Sequence, residues 1–150
     1  MDRFFAFHPR STRIALVLGG CLLAVLTAWA MATARQTGEP FAEARAGISA
    51  GLMFLFLYAF HRLRPRPGWG ITLGPMGVRM ARPFSNDKPM EFTYAQLSSV
   101  RRLGRKGDVL GLFHEQGRVL ITRHLFARRA VFEELISALE ERVPPSRYDA

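Results

Sequence analysis

Two apolar stretches fill most of the first sixty residues, and Arg62, Arg64 and Arg66 follow the second directly. Ile14 to Ala34 carries no charged residue, and its only polar side chains are Thr27, Thr33 and the weakly polar Cys21. At ~1.5 Å rise per residue this run makes roughly 31 Å of helix, about the hydrocarbon thickness of a bilayer. The second run, Ala46 to Phe60, makes roughly 22 Å and falls short of the usual ~17-residue minimum. Arg45 can snorkel outward at one end, and Tyr58, His61 and Arg62 suit a headgroup boundary at the other. Transmembrane helices are therefore expected over 14–34 and 46–63, joined by a short external loop over 35–45.

A secretory signal peptide is the rival reading of the first run. Arg3, Arg10 and Arg13 would be its basic flank, and Ala32-Thr33-Ala34 has the small-x-small form of a cleavage site. Against this, the stretch exceeds the ~7–15 residues of a signal's apolar region. It also carries the bulky Trp29 near its end.

Orientation follows from the basic flanks. The first thirteen residues hold three Arg, the segment after the second run holds three more, and the loop's Arg35 and Arg45 are offset by Glu39 and Glu43. Basic flanks stay in the cytoplasm, which predicts both termini inside and the short loop outside.

Small residues recur every fourth position in the first span, at Gly20, Ala24, Ala28 and Ala32, and Gly47 and Gly51 form a GxxxG in the second. Small faces let helices approach closely in lipid, where little hydrophobic force drives them together. Packing of the two helices on each other is the favoured reading, and self-dimerisation through GxxxG is the other. Cys21 has no partner for an intrachain disulfide and reads as a small apolar residue.

The formal charge is +9, and residues 61–150 hold sixteen Lys and Arg against nine Asp and Glu. A basic domain tethered at an inner leaflet feels the field of anionic lipid, worth ~1 kcal/mol per nearby cation. The tether accounts for much of the excess, so nucleic acid is not expected as a partner. Some ninety residues suffice for one small domain.

Pro65, Pro67 and Gly68 mark a linker over 64–68, after which the periodicity becomes strand-like. Trp69, Ile71 and Leu73 alternate with Gly70 and Thr72, and Gly74-Pro75-Met76-Gly77 turns the chain into Val78-Arg79-Met80. Met90, Phe92 and Tyr94 line one face of another strand, Val100–Leu103 gives the next, and Val109–His114 and Val119–Thr122 follow. Short strands with Gly-rich turns predict an antiparallel meander. From about Ala127 to Arg142, Phe132, Leu135, Ile136 and Leu139 repeat as the stripe of one amphipathic helix, which Pro144-Pro145 stops. Such a helix covers an open side of the sheet, with Phe126 at the corner.

Three segments carry a family resemblance. Gly70-Ile71-Thr72-Leu73-Gly74-Pro75-Met76-Gly77-Val78 is similar to the opening strand and turn of the bacterial membrane-anchored YcxB-like C-terminal domain. Phe92 to Val100 resembles that family's aromatic-x-x-hydrophobic-x-x-Val segment, and Val119 to Phe126 resembles its approach to the helix. Tyr94 stands where the family usually has Trp, and Thr122-Arg123 where it has Pro and a basic residue. The resemblance implies an α+β chain: a two-helix transmembrane hairpin, then a small antiparallel pleckstrin-homology-like barrel over 69–143 capped by the terminal helix. It implies no reaction and no ligand.

The candidate lipid-headgroup contacts are Arg62, Arg64 and Arg66 beside the second span, and Arg101, Arg102, Arg105 and Lys106 at one hairpin. Topology marking and a solvated turn are the plainer readings of each group. Arg128 and Arg129 open the helix where its dipole prefers acids, so they lack a local electrostatic reason. His8, His61, His114 and His124 are scattered, and His114-Glu115 is not followed by a second His at zincin spacing. No metal site, cofactor or catalytic set is expected. The remaining boundaries are a basic N-terminus over 1–13 and a tail over 144–150. The expectation for function is a non-catalytic binding module docking a protein partner or an anionic lipid surface, against a structural subunit acting through its hairpin.

Overall fold

Arg3-Phe4-Phe5-Ala6 alternates an inward Phe5 with exposed neighbours, and this short aromatic run forms a strand ahead of the first helix. The computed structural model describes residues 1–85 and 87–143. Asn86 and the tail assigned to 144–150 lie outside the described residues. In chain order come β1 (Arg3–Ala6), α1 (Arg10–Thr37), α2 (Ala42–Arg62), β2 (Gly70–Leu73), β3 (Gly77–Met80) and β4 (Met90–Thr93). Then follow β5 (Leu97–Leu103), β6 (Val109–His114), β7 (Gly117–Thr122) and α3 (Arg129–Glu140). The chain divides into two units: residues 1–10 with 65–150, and residues 11–64.

The first unit holds two antiparallel sheets, ordered β1-β2-β3-β4 and β5-β6-β7. The expected barrel does not close. A 3-10 turn over Tyr94–Gln96 separates β4 from β5, and the register shifts between Leu97 and Ser99. The Thr93 N–H donates to Gln96 Oε1 at 2.9 Å and fixes that corner, so the chain leaves the first sheet instead of continuing it. Tyr94, the aromatic at this corner, donates its hydroxyl to the Gly74 carbonyl at 2.8 Å and pins the β2–β3 turn.

Between the sheets lies one apolar core. Ile71, Leu73 and Val78 from the first sheet, and Leu110, Leu112 and Ile121 from the second, are buried. From α3, Phe132, Leu135, Ile136 and Leu139 are each 0% exposed, as the amphipathic pattern predicts. Side chains of this size each contribute about 1.5–3 kcal/mol when fully buried. The helix is shorter than the apolar pattern: Phe126 and Arg128 remain extended, and after Glu140 the chain closes in turns through Arg142 and Val143.

Residues 1–13 read as a basic flank in the sequence, yet the first ten belong to this unit. β1 pairs with β2 in the register Phe5↔Ile71 and Ala6↔Gly70. Phe7 follows it and is 1% exposed. Its ring meets Trp69 edge-on at 5.4 Å and Phe126 at 5.6 Å, and Phe126 in turn contacts Phe132 at 5.7 Å. Its N–H donates to the Trp69 carbonyl, and the His8 N–H donates to the Leu125 carbonyl. One two-residue stretch thus joins the first sheet, the end of the second and the helix.

The second unit is a helical hairpin. Both helices are long and apolar enough to cross a membrane, and only 11% and 6% of their apolar windows are buried. Leu18, Leu22, Val25, Trp29, Phe54 and Leu55 point outward, the reverse of a water-soluble core helix. Three contacts mark the antiparallel seam. The Arg13 guanidinium lies 4.4 Å over the Phe60 ring. Gly19 admits Phe56 so closely that a Cβ there would lie 2.4 Å from its Cε2. The Thr27 hydroxyl meets the Ser49 hydroxyl at 2.9 Å, and both reach the Leu23 carbonyl.

This seam corrects the packing expected within the hairpin. Ala24, Ala28, Ala32, Gly47 and Gly51 are exposed, and nothing lies within 4 Å of where a Cβ on Gly47 or Gly51 would stand. Gly20 is buried, but a Cβ there also meets nothing within 4 Å. The physical reason is the extra room that Phe56 and the hydroxyl pair need. They engage a stripe rotated by about one residue from the four-residue repeat.

Two expectations follow. Phe7→Ala removes the ring that links both sheets to α3 and should destabilise the unit by about 3–5 kcal/mol. Amide exchange of Ile71 and Leu73 in the full chain reports it, and unchanged protection would show that β1 is dispensable. In a Cys21→Ser background, Thr27→Cys with Ser49→Cys should oxidise to an intramolecular disulfide visible in the intact mass. Ala28→Cys with Gly51→Cys should give none, and the opposite result would restore the small-residue packing.

Candidate functional site

The basic side chains singled out in the sequence fall into separate places. Arg62 closes α2, where a cation complements the negative end of the helix dipole, and Arg64 and Arg66 follow it as exposed residues. At the other end of the same helix, Glu43 occupies the first turn, and Glu39 and Arg45 pair at 2.5 Å beside the connection between helices.

The cluster at the β5–β6 hairpin does not act as one group. Successive residues of a strand point to opposite faces, so Arg101 and Arg102 part company. Arg102 shares a face with the buried Leu110 and Ile121, and its Nη1 reaches Glu133 Oε2 on α3 at 2.7 Å. Glu133 also takes Arg129 Nε on its other oxygen at 3.4 Å. Arg129 therefore has a local partner at i+4, which the dipole argument overlooked. Arg101 lies on the other face, and Arg105 and Lys106 are exposed at the turn. Arg118, absent from the sequence reading, shares the face of Arg101 through β7. Pairing parity is the signal that finds it, and that needs the register.

Two of the hollows in this unit bear on a candidate site. One of about 570 Å³ lies over the outer face of the first sheet, lined by Phe4, Thr72, Arg79, Arg82, Ser85 and Asp87 among others. Its charges are matched from within, Arg79 to Glu91 at 3.2 Å across the strands and Arg82 to Asp87 at 3.8 Å. Such a surface offers no unbalanced field for an anion. The second, about 560 Å³, runs between β1 and α3, with Phe4, Ala6, Ala127 and Val131 as walls and the 2.6 Å Arg3–Glu134 pair at its rim. It is an open groove beside the terminal helix.

The histidines stay apart. His114 rests its ring against Phe92 at 4.8 Å, and its Nδ1 accepts the Gln116 N–H at 3.3 Å, a turn-shaping role. Among the described residues no three His, Cys, Asp or Glu side chains gather as a metal ion would require. Cys21 is exposed on the hairpin. No family model, curated protein or solved structure matches this chain.

Proposed function

We propose that the chain is a bacterial plasma-membrane protein with two spans and both termini in the cytoplasm. Its β-rich unit acts there as a non-catalytic, pleckstrin-homology-like binding module, docking a protein partner or an anionic lipid surface. The observation that carries this reading is the β1–β2 pairing. Strands from before and after the hairpin share one sheet, so the intervening helices must leave and return on the same side of any membrane they cross. The arginines flanking both helices support the cytoplasm as that side. Cleavage near Ala34 would remove β1 and the buried Phe7, which speaks against a signal peptide. Antiparallel strands followed by an amphipathic helix support the pleckstrin-homology-like resemblance in outline.

A second reading has its own observation. Ala24, Ala28 and Ala32 on α1, and Gly47 and Gly51 on α2, are exposed small residues suited to close approach by another helix. In that reading the protein is a structural subunit that joins a larger complex through the membrane.

Copurification of the full chain in mild detergent separates the two. A stoichiometric protein partner lost on deletion of residues 68–150 supports the module. A partner retained by the hairpin alone supports the subunit. For topology, single cysteines, Asp2→Cys or Arg142→Cys, in Cys21→Ser should both resist an impermeant maleimide on intact cells. Labelling of either one before lysis would defeat the cytoplasmic assignment.

A further inference from the structure

The sheet β5-β6-β7 buries one face against α3 and presents the other outward. Its register aligns Arg101 with Gly111 and Leu120, Leu103 with Val109 and Thr122, and Phe113 with Arg118. Gly111 sits at the centre of this outer face. A Cβ there would lie 2.9 Å from Phe113 Cε2 and 3.0 Å from Leu103 Cδ1, so those two side chains lie over the glycine. Beside them Leu120 on the edge strand is 48% exposed. The centre of the face is therefore apolar and its margin basic: Arg118 stands on it, and Arg105 and Lys106 occupy the adjoining turn. Asp108 beside the turn is paired with Arg123 at 3.2 Å.

We propose that this outer face docks flat on the anionic phospholipid headgroups of the membrane the hairpin crosses. Leu120 and Phe113 would meet the interface, and Arg105, Lys106 and Arg118 would meet the phosphates. Charge complementarity selects the occupant: inner-leaflet lipid is negative, and an apolar centre with a cationic margin is the pattern of interfacial binding. Arg102 takes no part, because it is turned to Glu133. The inference rests on the membrane-anchored reading and adds to it a particular face and ligand.

The test uses the full chain, Cys21→Ser, one copy per lipid nanodisc, with a nitroxide on Leu120→Cys. Collision with a water-soluble relaxation agent should fall at least about threefold when roughly a third of the lipid is anionic, compared with zwitterionic discs. A label at Thr122→Cys gives a second reading of the same face, and one at Glu91→Cys on the other sheet should not change. Arg105→Glu with Lys106→Glu, or salt at about 0.5 M, should abolish the shielding. Equal accessibility in both lipids overturns the proposal. So does shielding that appears only with two copies per disc, or only with a soluble protein partner. If the face stays open while the termini remain on one side and residues 68–150 still hold a partner, docking fails and the anchored module stands.

Discussion

The packing of Phe7 between Trp69 and Phe126 is the contact on which the rest of the β-rich unit depends. Without it the first sheet would end at β2, the second would meet it through the corner at Tyr94–Gln96 and their shared apolar core, and α3 would lose part of its aromatic floor. The ring is fixed by geometry on both sides: its own N–H bonds to Trp69, and the next residue's N–H bonds to Leu125. Pro9, also fully buried, then stiffens the exit toward the first helix. A stretch of a few residues therefore unites elements that the chain separates by an entire helical hairpin.

Much of the fold was legible because the physics was local. β2, β3, β4, β6 and β7 fall where alternation and glycine turns placed them, and the buried stripe of α3 is the one its periodicity indicated. Both apolar helices were also foreseeable, although each helix continues beyond its apolar run into polar residues at its ends. β1 was not read because four residues between arginines look like a topology flank, and its stability comes from a partner far along the chain. The only local hint was the alternation of Phe5 and Phe7.

The candidate surfaces were less legible for a different reason. A run such as Arg101-Arg102 looks like one patch in sequence but is split by the two-residue period of a strand. Arg118 joins Arg101 only through cross-strand register, and Arg129 finds its purpose only once Glu133 is seen to serve two arginines. In the hairpin, a repeat of small residues suggested the seam, but bulky Phe56 and two hydroxyls set it. Shape and hydrogen bonding outweighed residue size there, as expected where lipid is as apolar as the side chains.

The position of β1 also has a consequence for biogenesis. It is synthesised before both helices, and its neighbour in the sheet only after them. The nascent β1 waits, unpaired and aromatic, while the intervening helices are synthesised. Meanwhile β2 carries a vacant edge that other chains could join. A sheet of such high contact order closes late and slowly. Its completion requires that the segments before and after both helices meet in one compartment.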